Sequence, residues 1–144
     1  MGRGRRSCFI GCGPVCPVLE ELARHAHIDE FRGALRTAGA LDPAAEPSMV
    51  IRELGPGIEA ARSVPTAPYA FLRHPDSFAK AVCFAIGLGG DADTIASMTG
   101  ALAGAYLGTA AIPAPWREAV EGRSDLELLA SGLLQLAHGG TLET

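Results

Sequence analysis

The chain has 144 residues, of which 48% are hydrophobic and 19% charged, and its formal net charge is -4 at pH 7. That length suffices for one modest domain, and the hydrophobic content argues against wholesale disorder. With only 12 Lys and Arg and no basic run beyond the first residues, we expect no direct binding to nucleic acid. Aromatic residues make up 6% while Ala and Gly are abundant, which favours packed helices over a sheet.

Residues 1–16 show no helical or strand periodicity, and we predict that they form an unstructured leader. Its glycines and prolines make a poor signal-peptide core, while a mitochondrial presequence stays open. Zinc binding by the cysteine trio is disfavoured because the fourth ligand would have to be His25, His27 or a distant residue. Reduced thiols in an intracellular protein are expected instead. The basic residues and cysteines of this leader are Arg3, Arg5, Arg6, Cys8, Cys12 and Cys16.

Apolar residues recur at helical spacing from Pro17 onward and predict a helix that breaks near Ile28. Prolines and acidic residues over 42–47 indicate a loop. Ser48 is placed to cap a short helix that runs through Leu54.

The sequence LGPG at 54–57 predicts a sharp turn. Helical character resumes at Ile58 and again after Pro65, which suits the first turn of a helix ending near Arg73. The tripeptide HPD at 74–76 then stops one helix and starts the next.

A further helix is predicted over about 94–107, in which Ala96, Gly100, Gly104 and Gly108 stand four residues apart. We expect this stripe to let another backbone come close, since each glycine costs roughly 1 kcal/mol against alanine in a helix. The uncharged stretch 95–112 is rich in Ala and Gly, so a buried helix is favoured over a membrane span. Asp125 to Leu136 predicts a last amphipathic helix. The fold class that follows is all-α.

The segment GLGGDADT, 87–94, lies between the helix that follows HPD and the helix predicted over about 94–107. It places two carboxylates and a hydroxyl beside paired glycines. Asp91, Asp93 and Thr94 offer oxygen ligands of the kind that Mg²⁺ prefers. Gly89 and Gly90 tolerate positive φ and would let Asp91 in the turn meet Asp93 at the helix mouth. The alternative is that Asp93 caps the helix while Asp91 faces solvent. A phosphatase-type DxDx[TV] motif after a strand fits poorly.

Two blocks resemble the ADP-ribosylhydrolase family. GLGGDADTIASMTGALAGAYLG at 87–108 matches its C-terminal signature, and ELGPGIEAARSVPTAPYAFLR at 53–73 looks like the segment before it in the member that acts on serine-linked ADP-ribose and poly(ADP-ribose). The resemblance covers roughly 47–138 and continues loosely back to Pro17. It implies that 17–144 form part of the helical ADP-ribosylhydrolase fold.

The resemblance also implies a function, namely Mg²⁺-dependent hydrolysis of the glycosidic bond of ADP-ribose on proteins or in poly(ADP-ribose). By position, Asp91, Asp93 and Thr94 look like ligands of a pair of Mg²⁺ ions, with Asp93 shared by both. Gly57 and Ile58 match the turn that lies against the adenosine, although Ile58 is equally well explained as core. The expected partners are ADP-ribosylated proteins or poly(ADP-ribose), and the expected state is a monomer in the nucleus, cytoplasm or mitochondrial matrix, away from membranes.

The departures from the family are large. The N-terminal half of the family, with its TDDT-like acidic run and a glutamate near the scissile bond, has no counterpart here. With half of the metal ligands missing, we expect the chain alone to be inactive. Two alternatives stay open, a non-catalytic fragment and a small helical interaction module whose acidic turn is only a cap.

Overall fold

In the computed structural model, residues 16–139 are described, and across them the chain is built from helices without a single strand. The predicted all-α fold is confirmed, and a strand at AVCFAIGL, which the phosphatase motif requires, is excluded because that segment is helical. The leader up to residue 15 lies outside the described residues, so its prediction stays untested. The α-helices are α1 Pro17–His25, α2 Asp29–Ala40, α3 Pro47–Glu53, α4 Ala60–Arg73, α5 Phe78–Gly87, α6 Ala92–Leu107, α7 Ala114–Ala119 and α8 Arg123–Ala137.

The chain divides into two compact units, the first ending at Ala111 and the second starting at Ile112. In the first unit, α4 lies at the centre and packs against α2, α5 and α6. One side of α4 faces a core cluster of Leu19, Ala23, Leu35, Ala38, Ala45, Val50, Leu54, Tyr69 and Leu88. Its other side forms a smaller cluster, in which Ala67 and Ala70 of α4 meet Ala85 of α5 and Ile95 of α6.

Helix α4 differs from the prediction because it is one continuous helix from Ala60, with Pro65 and Pro68 in its interior. Each proline removes a backbone donor and ordinarily costs about 3 kcal/mol in a helix interior. Both prolines are buried, so apolar packing offsets part of that cost. The hydroxyl of Thr66 also donates to the Arg62 carbonyl at 2.7 Å within the same turns.

The first helices follow the predicted boundaries with one correction. The break near Ile28 is confirmed, since α1 ends at His25 and α2 begins at Asp29. Ser48 is not a cap, because α3 begins one residue earlier at Pro47, whose fixed φ suits the first turn.

The C-terminal end of α4 clamps the loop before α3. Tyr69 donates from its hydroxyl to the Asp42 carbonyl at 2.7 Å. Arg73 donates from Nη1 to the carbonyls of Pro43 and Ala45, both at 2.7 Å. The Arg73 guanidinium also lies 4.5 Å from the ring centroid of Phe84 in α5, so one side chain joins the loop, α4 and α5.

The glycine stripe of α6 contacts side chains, which corrects the expected close approach of backbones. A Cβ at Gly100 would lie 3.6 Å from Phe78 Cζ and 3.7 Å from Val82 Cγ2, while at Gly104 the nearest atom is Phe78 Cε2 at 3.9 Å. Gly108 lies beyond the helix and ends it with φ 82°. The stripe therefore makes room for the aromatic ring of Phe78.

The second unit contains α7 and α8. The helix predicted from Asp125 to Leu136 is confirmed as α8, although none of its residues is buried. Within 16–139, no helix combines the length and apolar character needed to cross a membrane. The stretch 95–112 accordingly consists of most of α6 and the 3-10 turn Thr109–Ala111.

Candidate metal and nucleotide site

The acidic turn, residues 87–94, joins α5 to α6. Leu88 is buried in the core cluster and anchors the turn. Gly89 and Gly90 follow with φ of 74° and 61°, a region that residues with a Cβ rarely adopt. The prediction that these two glycines provide positive φ is confirmed, and the reversal places Asp91 at the start of α6.

The side chains of Asp91 and Thr94 meet at the mouth of α6. Thr94 donates from Oγ1 to Asp91 Oδ1 at 2.9 Å. Because α6 begins at Ala92, Asp91 occupies the N-cap position without a side-chain capping hydrogen bond, and Asp93 lies in the first turn. The N-cap residue is therefore Asp91 and not Asp93, and Asp91 is half-buried.

Asp93 is exposed and lies beside both of these groups. A hydrogen bond from the Thr94 backbone amide lowers the pKa of Asp93 below its usual value, followed by a side-chain hydrogen bond with Asp91 and by its own amide. Hydrogen bonding to the charged form has this effect because it stabilises the carboxylate. Asp93 is thus held ionised, the form that binds a cation.

The oxygen atoms of this turn are of the type that a hard divalent cation binds, but they are few. Two carboxylates and one hydroxyl lie within a single turn, and Mg²⁺ prefers oxygen ligands of this type. Across residues 16–139, however, no three His, Cys, Asp or Glu side chains gather as a metal site. Asp91, Asp93 and Thr94 would therefore hold such an ion together with water or further ligands.

The turn at 54–57, the LGPG turn, leads directly into the second predicted segment. Leu54 and Gly55 are buried, and Gly55 has φ 74°. The buried hydroxyl of Thr66 lies 3.4 Å from the Gly55 carbonyl and links the turn to α4. Ile58, just after the turn, is 82% exposed, so its interpretation as core is wrong. Gly57 is half-buried beside it.

The LGPG turn and the acidic turn are joined through their backbones. The amide of Asp91 donates to the Pro56 carbonyl at 2.8 Å. A Cβ on Gly90 would overlap the Pro56 carbonyl oxygen and lie 2.9 Å from its carbon. The structure thus places the predicted metal ligands and the predicted nucleotide turn in contact.

Sequence reasoning missed Pro56 and the neighbouring pair Glu59 and Arg62. A Cβ on Gly57 would lie 2.9 Å from Arg62 Cδ, and one on Gly55 would lie 2.5 Å from Arg62 Nη1. The long side chain of Arg62 therefore extends over the LGPG turn, with Glu59 Oε2 3.7 Å from its Nε. Arg62 follows Glu59 by three residues, a spacing at which opposite charges meet at a helix start, and this is the signal that could have identified the pair.

A family model of the ADP-ribosylglycohydrolases matches residues 14–142, which is most of the chain and includes both turns. The chain belongs to the ADP-ribosylglycohydrolase family. The resemblance noted in the sequence is confirmed at this level, together with the helical fold.

Individual relatives match over shorter spans. ADP-ribosylhydrolase ARH3 of Mus musculus is 46% identical over 94 residues, which cover 58% of this chain and 25% of the mouse protein. The Homo sapiens ARH3 is also 46% identical over 94 residues and is covered to 26% of its length. ADP-ribosylarginine hydrolase Tri1 of Serratia proteamaculans is 39% identical over 62 residues, covering 43% of this chain and 17% of that protein. The matched region is thus about a quarter of the length of the ARH3 relatives.

Proposed function

We propose that this chain carries the Mg²⁺-binding and adenosine-contacting part of a site that hydrolyses the glycosidic bond of ADP-ribose. The supporting observation is the contact of the acidic turn with the LGPG turn. The amide of Asp91 thereby bonds to Pro56, two residues before the exposed apolar side chain of Ile58. ADP-ribose combines ribose hydroxyls, which a hard cation binds, with an adenine ring, which an apolar surface contacts.

In this proposal Asp91, Asp93 and Thr94 would hold the Mg²⁺. Bound Mg²⁺ supplies Lewis-acid polarisation and orientation of the substrate oxygens. Neither carboxylate is assigned as general acid or base. A glycosidase carboxylate pair needs its two groups on opposite sides of the scissile bond, whereas these two residues lie on one turn.

The affinity of the chain by itself for Mg²⁺ should be low. Two carboxylates and one hydroxyl leave most of the octahedral shell of the ion to water. We therefore propose that the chain alone hydrolyses ADP-ribose linkages slowly or not at all, and that further ligands raise its metal affinity.

The substrates proposed are serine-linked ADP-ribose on proteins and poly(ADP-ribose). Names of the relatives support ADP-ribosylated substrates in general, and the Serratia relative is named for an arginine linkage. Peptides modified on serine and on arginine should therefore be compared side by side.

The test is release of ADP-ribose from these peptides and from poly(ADP-ribose), with Mg²⁺ and with chelator. The chain is assayed alone and mixed with the part of mouse ARH3 that lies outside the matched region. We expect turnover only in the Mg²⁺-containing mixture and its loss in Asp93→Asn. A mixture without turnover, combined with no heat of Mg²⁺ binding to the chain, would overturn the proposal.

A second candidate is a binding module that contacts ADP-ribose without hydrolysing it. The observation that favours it is the small donor set, since three carboxylates never meet in the described part of the chain. Calorimetric binding of ADP-ribose to a mixture that remains inactive would establish this alternative in place of the hydrolase.

A further inference from the structure

Gly90 of the acidic turn lies directly against Pro56 of the LGPG turn. Gly90 combines φ 61° with a position where any Cβ would overlap the Pro56 carbonyl oxygen. Gly89, its neighbour, has a similar φ of 74° but no atom within 4 Å of an added Cβ. Positive φ alone therefore explains a glycine at 89, whereas 90 also requires the absence of a side chain.

The same approach brings a carbonyl and an amide into a hydrogen bond. Pro56 accepts from the Asp91 amide at 2.8 Å, directly after the tight contact at Gly90. Asp91 carries the carboxylate that Thr94 contacts, and Pro56 stands two residues before Ile58. A displacement of the LGPG turn consequently moves the backbone that holds Asp91.

Both turns are also anchored at their other ends. Leu54 and Leu88 belong to the same buried cluster, and Thr66 holds the Gly55 carbonyl. Packed groups of this kind transmit small shifts. The hydrogen bond between Asp91 and Pro56 therefore makes the backbone position of each turn depend on that of the other.

We propose that Gly90 and Pro56 are positioning residues that couple nucleotide contact at Gly57 and Ile58 to Mg²⁺ binding at Asp91 and Asp93. This coupling rests on the proposed function and adds to it a route between the two halves of the site. Binding of ADP-ribose at the LGPG turn fixes Pro56, which fixes the Asp91 amide and preorganises its carboxylate for the ion. By linkage, Mg²⁺ raises the affinity for ADP-ribose by the same factor.

The test measures the dissociation constant of Mg²⁺ by calorimetry with and without saturating ADP-ribose. Wild type is compared with Gly90→Ala and with the matched control Gly89→Ala, which shares the strain of positive φ but meets no neighbour. We expect ADP-ribose to tighten Mg²⁺ binding by about fivefold or more in wild type and in Gly89→Ala. In Gly90→Ala this tightening should be smaller, and what remains is the part that direct contact between the ribose hydroxyls and the ion supplies.

A measurement on the unsubstituted chain covers the case in which Gly90→Ala fails to fold. Hydrogen exchange at the Asp91 amide should slow when ADP-ribose is added without metal, because the ligand stabilises the bond to Pro56. Unchanged exchange, or equal coupling in Gly89→Ala and Gly90→Ala, would overturn the coupling while leaving the metal site in place. Absence of any Mg²⁺ binding to wild type would instead overturn the proposed function and the coupling with it.

Discussion

The hydroxyl of Thr94 donates a 2.9 Å hydrogen bond to Oδ1 of Asp91 across the first turn of α6. Thr94 therefore orients one carboxylate, and in the proposed site its own oxygen would be a second ligand of the Mg²⁺. This relationship gives Thr94 two roles in the proposed metal site, as ligand and as partner of a ligand.

Thr94→Val should weaken Mg²⁺ binding by about tenfold, the effect typical of losing a group that orders a metal ligand. Valine keeps the branched shape of threonine and removes only the oxygen. The measurement is calorimetric titration with Mg²⁺. Ser97→Ala, an exposed hydroxyl one turn further along α6, is the control and should bind as wild type does. Equal affinity in Thr94→Val and Ser97→Ala would remove Thr94 from the site.

Ile58 and Ile95 are two isoleucines with opposite expected effects. Ile58 is 82% exposed and Ile95 is 0% exposed. Ile95→Ala should lower the free energy of unfolding by about 2–5 kcal/mol, since it opens a cavity between α4, α5 and α6. Ile58→Ala should change stability by less than about 0.5 kcal/mol.

The same Ile58→Ala variant should weaken ADP-ribose binding by about tenfold, because roughly two methylenes of apolar contact are lost. Urea denaturation and calorimetry on both variants provide the two readouts. Ile51→Ala, another exposed isoleucine, is the control for binding. If Ile58→Ala binds ADP-ribose as tightly as Ile51→Ala does, Ile58 has no part in nucleotide contact.

Features that depend on residues close together in the sequence could be predicted, and features that depend on distant residues could not. The helical class follows from apolar spacing, and positive φ at Gly89 and Gly90 follows from paired glycines in a turn. These features are local. The prediction that Pro65 begins a helix is wrong. The burial of α4 on two sides outweighs the local preference of proline for the first turn.

The site was predictable in its residue types and not in its assembly. Asp91 and Thr94 stand three apart at a helix start, a spacing that brings side chains together. The hydrogen bond from Asp91 to Pro56 joins residues 35 positions apart by their numbers in the chain, and no periodicity encodes such a pair. Likewise, only the packed structure shows that Gly100 faces the ring of Phe78.

His74 should make the stability of the first unit depend on pH. Burial lowers the pKa of His74 below its usual value, and the charges of Arg73 and Lys80 lower it further. Its ring lies 5.7 Å from that of Phe84, the same ring over which Arg73 is stacked. Protonated His74 would place a second positive charge beside this contact.

The direction of this pH dependence follows from the number of protons that His74 binds in the folded and unfolded chain. Below its ordinary pKa of 6.5, His74 binds more protons in the unfolded chain than in the folded one, so stability falls as the pH drops through that value. The urea midpoint should therefore decrease between about pH 7 and pH 5. His74→Gln should reduce this decrease, whereas the exposed His27→Gln should not. A pH dependence that is the same in wild type and His74→Gln would contradict this assignment.

Alanine substitutions at Gly104 and Gly108 should have opposite effects on the free energy of unfolding. A Cβ at Gly104 would lie 3.9 Å from Phe78 Cε2, an ordinary van der Waals distance, within the interior of α6. Gly104→Ala should therefore raise the free energy of unfolding by about 0.5–1 kcal/mol through lower backbone entropy in the unfolded chain. Gly108 ends α6 with φ 82°, so Gly108→Ala should lower it by about 1–2 kcal/mol. Thermal denaturation distinguishes the two, and a destabilised Gly104→Ala would mean that the stripe requires a closer helix contact than this packing provides.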